Sequence, residues 1–321
     1  MKKGYLGIDV GSVSTNLIVI DEQDEVLASL YLRTQGQPIR VIQEGMKEIS
    51  GLVPGDVEIH AAGTTGSARY LGGIMVGADI IKNEITAHAV ATSRFVPGVQ
   101  TILEIGGQDS KIIILRDGIV TDFAMNTVCA AGTGSFLDQQ SARLCIPIED
   151  FGELALKSQH PVRIAGRCAV FAESDMIHKQ QLGHSTEDII AGLCDALVRN
   201  YLNNVGKGKE ILPPIAFQGG VAANAGMKKA FEKSLNHEVI IPNNFAVMGA
   251  LGVAIIARET VELKKEKTIF KGFEVTDFSY KTRSFECKSC PNRCEVVQFF
   301  QNGEVIARWG SRCGKWDIKA S

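Results

Sequence analysis

A cysteine set just ahead of a glycine-rich turn gives this chain its sharpest chemical signal. Residues 126–136 read Asn-Thr-Val-Cys-Ala-Ala-Gly-Thr-Gly-Ser-Phe, so Cys129 precedes Gly132-Thr133-Gly134, and a helix-like run continues through Leu144. Such a turn at a helix start offers free backbone N–H groups and the positive end of the helix dipole, which suits a phosphate. A thiolate beside it gains the same field, making Cys129 a candidate metal or cluster ligand. Cys168, in Gly166-Arg167-Cys168-Ala169-Val170-Phe171, also precedes an expected helix, at 169–182. Asp9 enters a small-residue turn, Gly11-Ser12-Val13-Ser14-Thr15, from an apolar strand. Such a hairpin aims N–H groups and hydroxyls at phosphate oxygens, and its carboxylate suits a Mg²⁺ held through water.

The same device occurs twice. Residues 8–20 align without a gap on 103–115, at a constant offset of 95, so that Asp9 meets Glu104 and Gly11-Ser12 meets Gly106-Gly107. Each copy reads strand, acidic residue, glycine turn, strand, which suggests duplicated lobes closing on a nucleotide. A third glycine element, Gln218-Gly219-Gly220-Val221, follows a strand and opens a helix, allowing close backbone approach to an adenosine. At the far end come Cys287-x2-Cys290-x3-Cys294 and, beyond a hairpin at 296–307, Cys313. That clustering is a metal signal, with tetrahedral zinc the first choice and an iron–sulfur cluster the second.

The elements that must hold these groups follow from periodicity and punctuation. Helices are expected at 38–52, 83–95, 189–201 and 242–258, and a strand at 57–61. Ser185, with Asp188 three residues on, caps the helix before Cys194. Cys194 and Cys145 read as core or interface thiols. Glu84 and His88 share a helix face and read as an ordinary surface or interface pair. The charged linker 264–267 leads into short strands at 270–280. The domains expected are a first lobe at 1–95, a second with the cysteine-bearing helices at 96–245, a return helix packing between the lobes at 246–263, and a cysteine appendage at 264–321. Apolar residues make up 45% and charged residues 22% of 321, ordinary values for a globular chain. A net charge of −2 argues against a protein built to hold nucleic acid. No run has the length of a membrane span, and eight cysteines without an export signal fit reduced thiols or metal ligands in the cytoplasm.

With these residues in hand, the chain resembles the acetate/sugar kinase, heat-shock ATPase and actin superfamily, and within it the BadF/BadG/BcrA/BcrD-type ATPases that activate 2-hydroxyacyl-CoA dehydratases. The resemblance covers about residues 4–262. It rests on the first phosphate loop (Asp9, Gly11, Ser12, Ser14, Thr15), the second (Glu104, Gly106, Gly107, Gln108, Asp109) and the adenosine loop (Gly219, Gly220, Val221). The specific part is the Cys129 segment with Gly132, Thr133 and Gly134, joined by the Cys168 segment. Glu104 stands where many superfamily members carry Asp. The resemblance implies an α/β fold of two duplicated actin-like (ribonuclease H-like) lobes around a nucleotide cleft, here with a small β-rich four-cysteine module. It implies ATP and ADP with Mg²⁺; our candidate for orienting the attacking water is Gln108, with Asp9, Glu104 and Asp109 around the ion. It also implies a homodimer holding one 4Fe–4S cluster on its twofold axis through Cys129 and Cys168 of each chain. The expected activity is ATP-driven donation of a low-potential electron. The acceptor would be a cluster-containing enzyme: a 2-hydroxyacyl-CoA dehydratase, a benzoyl-CoA reductase or a double-cubane protein. A ferredoxin or flavodoxin would stand upstream. A small-molecule kinase and a non-redox nucleotide-dependent adaptor with a zinc module are the competing readings. The C-terminal cysteine segment is similar to parts of longer multi-domain relatives, of which this chain could be a fragment.

Overall fold

The computed structural model describes residues 1–126 and 130–317. Its first lobe starts from β1 (Lys2–Val10), apolar and mostly buried from Gly4 onward, paired antiparallel with β2 (Ser14–Ile20), which pairs with β3 (Val26–Arg33). The helix α1 (Pro38–Leu52) begins on a proline, where the missing N–H has no helical partner to lose. The chain then returns as β4 (Val57–Thr65), parallel to β1. This strand outruns the expected 57–61. Its register with β1 holds as far as Asp9 opposite Thr65, so Gly63-Thr64-Thr65 belong to the strand. Then come α2 (Arg69–Val76), β5 (Ile80–Ile81) and α3 (Glu84–Phe95), the last capped by Asn83, whose side chain accepts the Thr86 N–H at 2.9 Å. The sheet runs β3-β2-β1-β4-β5.

The second lobe repeats this plan. It comprises β6 (Thr101–Ile105), β7 (Ser110–Arg116), β8 (Ile119–Met125), α4 (Gly134–Leu144), α5 (Ile148–Leu156), α6 (Ala169–Gln181), α7 (Thr186–Asn204), β9 (Ile215–Gln218), α8 (Ala225–Leu235) and β10 (Val239–Ile240). Its sheet runs β10-β9-β6-β7-β8, so β6 occupies the place of β1 and β7 that of β2. The turns match as well: Gly11 N–H donates to Ser14 O, and Gly106 N–H to Asp109 O, each at 2.9 Å and 95 residues apart in sequence. These findings establish the two-lobed duplicated α/β fold.

A long helix, α9 (Met248–Lys264), lies across β1 and β4 and against α3. Its closeness to α3 requires glycine, since a methyl group at Gly252 would run into the Ala87 carbonyl. The last segment forms an antiparallel sheet of β11 (Tyr280–Glu286), β12 (Glu295–Gln301) and β13 (Glu304–Trp309). Where short strands were expected at 270–280, a 3-10 turn, Phe273–Asp277, precedes β11. Phe270, Phe273 and Phe278 anchor this stretch against the first lobe, and such anchoring overrides strand propensity. The appendage shares that lobe's core: Val275, Tyr280, Phe299 and Ala307 cluster with Leu6, Ile8, Ile42 and Met75. Among the described residues, no helix is long and apolar enough to cross a membrane.

Candidate functional site

The two sheets deliver Asp9 (end of β1) and Glu104 (β6) to one cleft. Around them the cleft is lined by Gly11, Ser12 and Ser14, by Gly106, Gly107, Gln108 and Asp109, and by Gly219 and Gly220. Three glycine loops far apart in sequence are thus brought together. The phosphate loops touch: a methyl at Gly107 would lie 2.7 Å from Val13 Cγ1, so only glycine permits this approach. Thr15 is placed differently. It is fully buried, with its hydroxyl 3.0 Å from that of Thr34, which in turn donates to Gly11 O at 2.9 Å. It braces the first loop from behind.

Lys111 is the functional residue that sequence reasoning missed. Its ammonium sits 2.9 Å from Glu104 Oε2 and 2.9 Å from Asp109 Oδ2, with the Lys111 and Glu104 side chains only 5% and 6% exposed. The signal was a lone lysine in an isoleucine-rich strand, directly opposite Glu104 in the β6–β7 register. In the first lobe the equivalent pair is Asp9 opposite Asn16. Burial lifts the Glu104 carboxyl to about 7, against the pull of Lys111, and lifts Asp9 to about 7 for the same reason. Burial also works against the Lys111 charge, but its two carboxylates outweigh that and raise it. With Glu84, four carboxylates face one ammonium around the cleft. Asn16, also on the cleft, has a buried Oδ1 with no hydrogen-bond partner among the described residues.

Glu84 and His88, expected at an ordinary surface or interface, line this cleft instead. His88 is 6% exposed, and its Nδ1 accepts from Gln218 Nε2 at 2.7 Å, while Gln218 Oε1 accepts from Thr92 at 2.8 Å. This chain ties α3 to β9 across the lobes. Burial pushes the His88 imidazole down to about 3, so it is neutral. Beside the phosphate loops opens a second cavity of about 340 Å³, between Tyr31 and Arg33 of β3 and Gly134, Leu137 and Asp138 of α4, with Val221 and Asn224 beneath. Its size and mixed lining suit a nucleoside. Arg33 and Asp138, both about half exposed, stand 3.9 Å apart across it.

At the start of α4 one expectation is corrected. The Gly134 N–H donates to Gly106 O and the Ser135 N–H to Gly107 O, both at 2.8 Å. These two N–H groups are therefore occupied by the second phosphate loop and not free for a phosphate. Gly134 borders the nucleoside cavity, Thr133 is buried, and Gly132 faces α7, where a methyl would lie 2.8 Å from Asn200 Oδ1. Asn200 Nδ2 also donates to Gly166 O at 2.5 Å, so one residue contacts the stretches that follow Cys129 and precede Cys168. Cys129 itself lies outside the described residues. Cys168 is the extended N-cap residue of α6 and is partly exposed, followed by Val170 and Phe171, 70% and 67% exposed. Cys194 is buried in the second lobe's core, where burial pushes its thiol up to about 12, and Cys145 is exposed at the end of α4.

In the appendage Cys287 is buried, Cys294 partly buried, and Cys290 and Cys313 exposed. Cys287 Sγ accepts from Trp316 Nε1 at 3.2 Å, and Cys294 Sγ from the Arg312 N–H at 3.5 Å. Hydrogen bonds from Ser289, and then Trp316, hold the Cys287 thiol below its ordinary range. Among the described residues, no three His, Cys, Asp or Glu side chains gather as a metal cage.

Comparison with known proteins agrees with this geometry. Residues 6–257 match the model of the BadF/BadG/BcrA/BcrD ATPase family. The chain is 37% identical to the (R)-2-hydroxyglutaryl-CoA dehydratase activating ATPase of Acidaminococcus fermentans, over 78% of this chain and 96% of that one. It is 34% identical to the activator of lactoyl-CoA dehydratase of Anaerotignum propionicum, over 81% and 99%. The solved activator of the 2-hydroxyisocaproyl-CoA dehydratase from Clostridium difficile, with bound ADPNP, superimposes with a TM-score of 0.74. It is 28% identical, covering 82% of this chain and 97% of that one.

Proposed function

Because this chain belongs to the BadF/BadG/BcrA/BcrD ATPase family, we propose that it is an ATP-driven electron donor to a cluster-containing acceptor of the 2-hydroxyacyl-CoA dehydratase, benzoyl-CoA reductase or double-cubane type. It would work in the cytoplasm as a homodimer. The observation that carries this reading is the pair of hydrogen bonds from Gly134 and Ser135 to the carbonyls of Gly106 and Gly107. A phosphate loop that shifts with nucleotide state would pull on the start of α4 through these two bonds.

The residues fit the groups such a protein needs. Four carboxylates against one ammonium, with the orphaned Asn16 Oδ1 among them, suit a Mg²⁺ approached through water and phosphate oxygens. Asp9, Glu104 and Asp109 would hold that ion. Gln108 would orient the attacking water, and the turns at Gly11–Ser14 and Gly106–Asp109 would cradle the phosphates. Lys111 would hold Glu104 and Asp109 together and counter the desolvation of the Glu104 carboxylate. Tyr31 and Arg33 would close over the nucleoside from the first lobe, Gly219 to Val221 from the second.

A 4Fe–4S cluster shared through Cys129 and Cys168 of two chains would supply one-electron chemistry at low potential. Cys168 suits that role: it heads a helix, keeps partial access to solvent, and adjoins an exposed apolar pair that a twofold mate would cover. The four appendage cysteines, Cys287, Cys290, Cys294 and Cys313, do not converge among the described residues, so zinc or a second cluster there would require the 287–294 and 310–314 loops to draw together around it.

The test is anaerobic iron, sulfide and zinc analysis of the wild-type chain, Cys168→Ser and Cys290→Ser. Loss of iron and sulfide in Cys168→Ser, with nucleotide binding kept, is expected. Colourless wild-type protein lacking both would sink the reading and favour a non-redox role.

A further inference from the structure

A broad groove of about 1110 Å³ opens on the second lobe beside the Cys168 segment, whose Gly166 and Arg167 form part of its wall. Arg163, Arg167, Lys179, Arg199 and Lys207 line it, against the single carboxylate of Asp175. Asp175 already accepts the Ala165 N–H at 2.8 Å, and Arg199 donates to Ile164 O at 2.6 Å. No ion pair within the described residues engages any of the five cations, although the chain as a whole is net negative. Five cations drawn together in a net-negative protein raise the local potential and focus it in a concave wall.

We propose that this groove is the docking site for the acidic face of a soluble one-electron carrier protein, a partner that the function proposed above requires. Three considerations select this occupant. At about 1110 Å³ the groove lies above the ~300–1,000 Å³ of ordinary small-molecule pockets. An isologous contact centred on the groove would set five cations against five, which disfavours the groove as the twofold seam and leaves the apolar Val170–Phe171 patch for the mate. And the groove wall includes Gly166 and Arg167, next in sequence to Cys168, so a carrier seated there is brought near the residue proposed to hold the redox group. Opposite charge at such a rim acts chiefly on encounter rate and orientation.

The test uses the full chain and a purified ferredoxin of strongly negative net charge, with binding followed by calorimetry at low and moderate salt. The expected result is an affinity that falls steeply with salt, and a Lys179→Glu/Lys207→Glu double variant that binds about tenfold more weakly with a shallower salt dependence. Its ATP hydrolysis should be unchanged, since neither lysine borders the cleft. Lys229→Glu, on α8, should bind as the wild type does. Equal affinity of wild type and double variant overturns the proposal. The two readings fail separately. A chain with no iron or sulfide sinks the redox function, whereas a cluster-loaded chain whose double variant keeps full carrier affinity sinks only the groove.

Discussion

Replacing Lys111 by methionine removes the only ammonium that the described residues bring to this acidic cleft and leaves Glu104, 6% exposed, without its partner. Removing one member of a buried ion pair costs ~3–5 kcal/mol. The Asp109 half adds little, because that side chain is 45% exposed and water screens it. Glu104 can limit the loss by taking up a proton, since its carboxyl already stands at about 7 in the presence of Lys111. The sign follows: a carboxyl raised in the folded state favours folding at low pH, and that contribution is lost as pH rises from the unfolded value toward the folded one. Lys111→Met should therefore be destabilised most near pH 8 and least near pH 6, the gap growing by up to ~1.4 kcal/mol per pH unit. Urea denaturation of the nucleotide-free, metal-chelated protein at the two pH values, followed by circular dichroism, measures it. A loss below ~1 kcal/mol that is the same at both would refute the claim that Lys111 neutralises a desolvated carboxylate.

A methyl at Gly107 presses on Val13, so Gly107→Ala should part the phosphate loops and lower ATP hydrolysis at least tenfold with little change in melting temperature. His88, held neutral down to about 3, contributes stability that is full above ~6.5 and lost as pH falls, about 2 kcal/mol by pH 5. Asp9 and Glu104 run the other way over the same range and together outweigh it, ~4 kcal/mol against ~2, so in urea titrations the wild type should gain ~2 kcal/mol between pH 7 and 5 and His88→Gln about twice that. Asn200→Ala should leave nucleotide affinity intact but break the contact between Gly132 and Gly166, which would appear as faster cluster loss from anaerobic protein in air. In a thiol-labelling experiment on folded protein, Cys145 should react quickly and Cys194 only on unfolding, because burial keeps Cys194 protonated.

Much of the cleft was legible because its parts are local. A strand, an acidic residue and a glycine turn are contiguous, and the copy 95 residues later reports the same geometry, down to matched turn hydrogen bonds. What stayed hidden depends on pairing between strands and on lobe closure. Lys111 becomes meaningful only opposite Glu104, and Tyr31 and Arg33 only once β3 reaches α4. His88 looked like half of a helix-surface pair because nothing in α3 announces that Gln218 will lie 2.7 Å away. The start of α4 was misjudged for an instructive reason. A glycine turn at a helix N-terminus signals available donors, but not whether phosphate or a neighbouring carbonyl will claim them.

The appendage has its hydrophobic residues sunk into the first lobe's core, and Gln43 of α1 donates to the carbonyls of Thr276 and Phe278 at 3.1 and 2.9 Å. It is thus a rigid passenger of one jaw, while Cys168 rides the other. Any closing stroke would change the span between the two, so spin labels on β13 and α6 would turn this passenger into the pointer of a gauge.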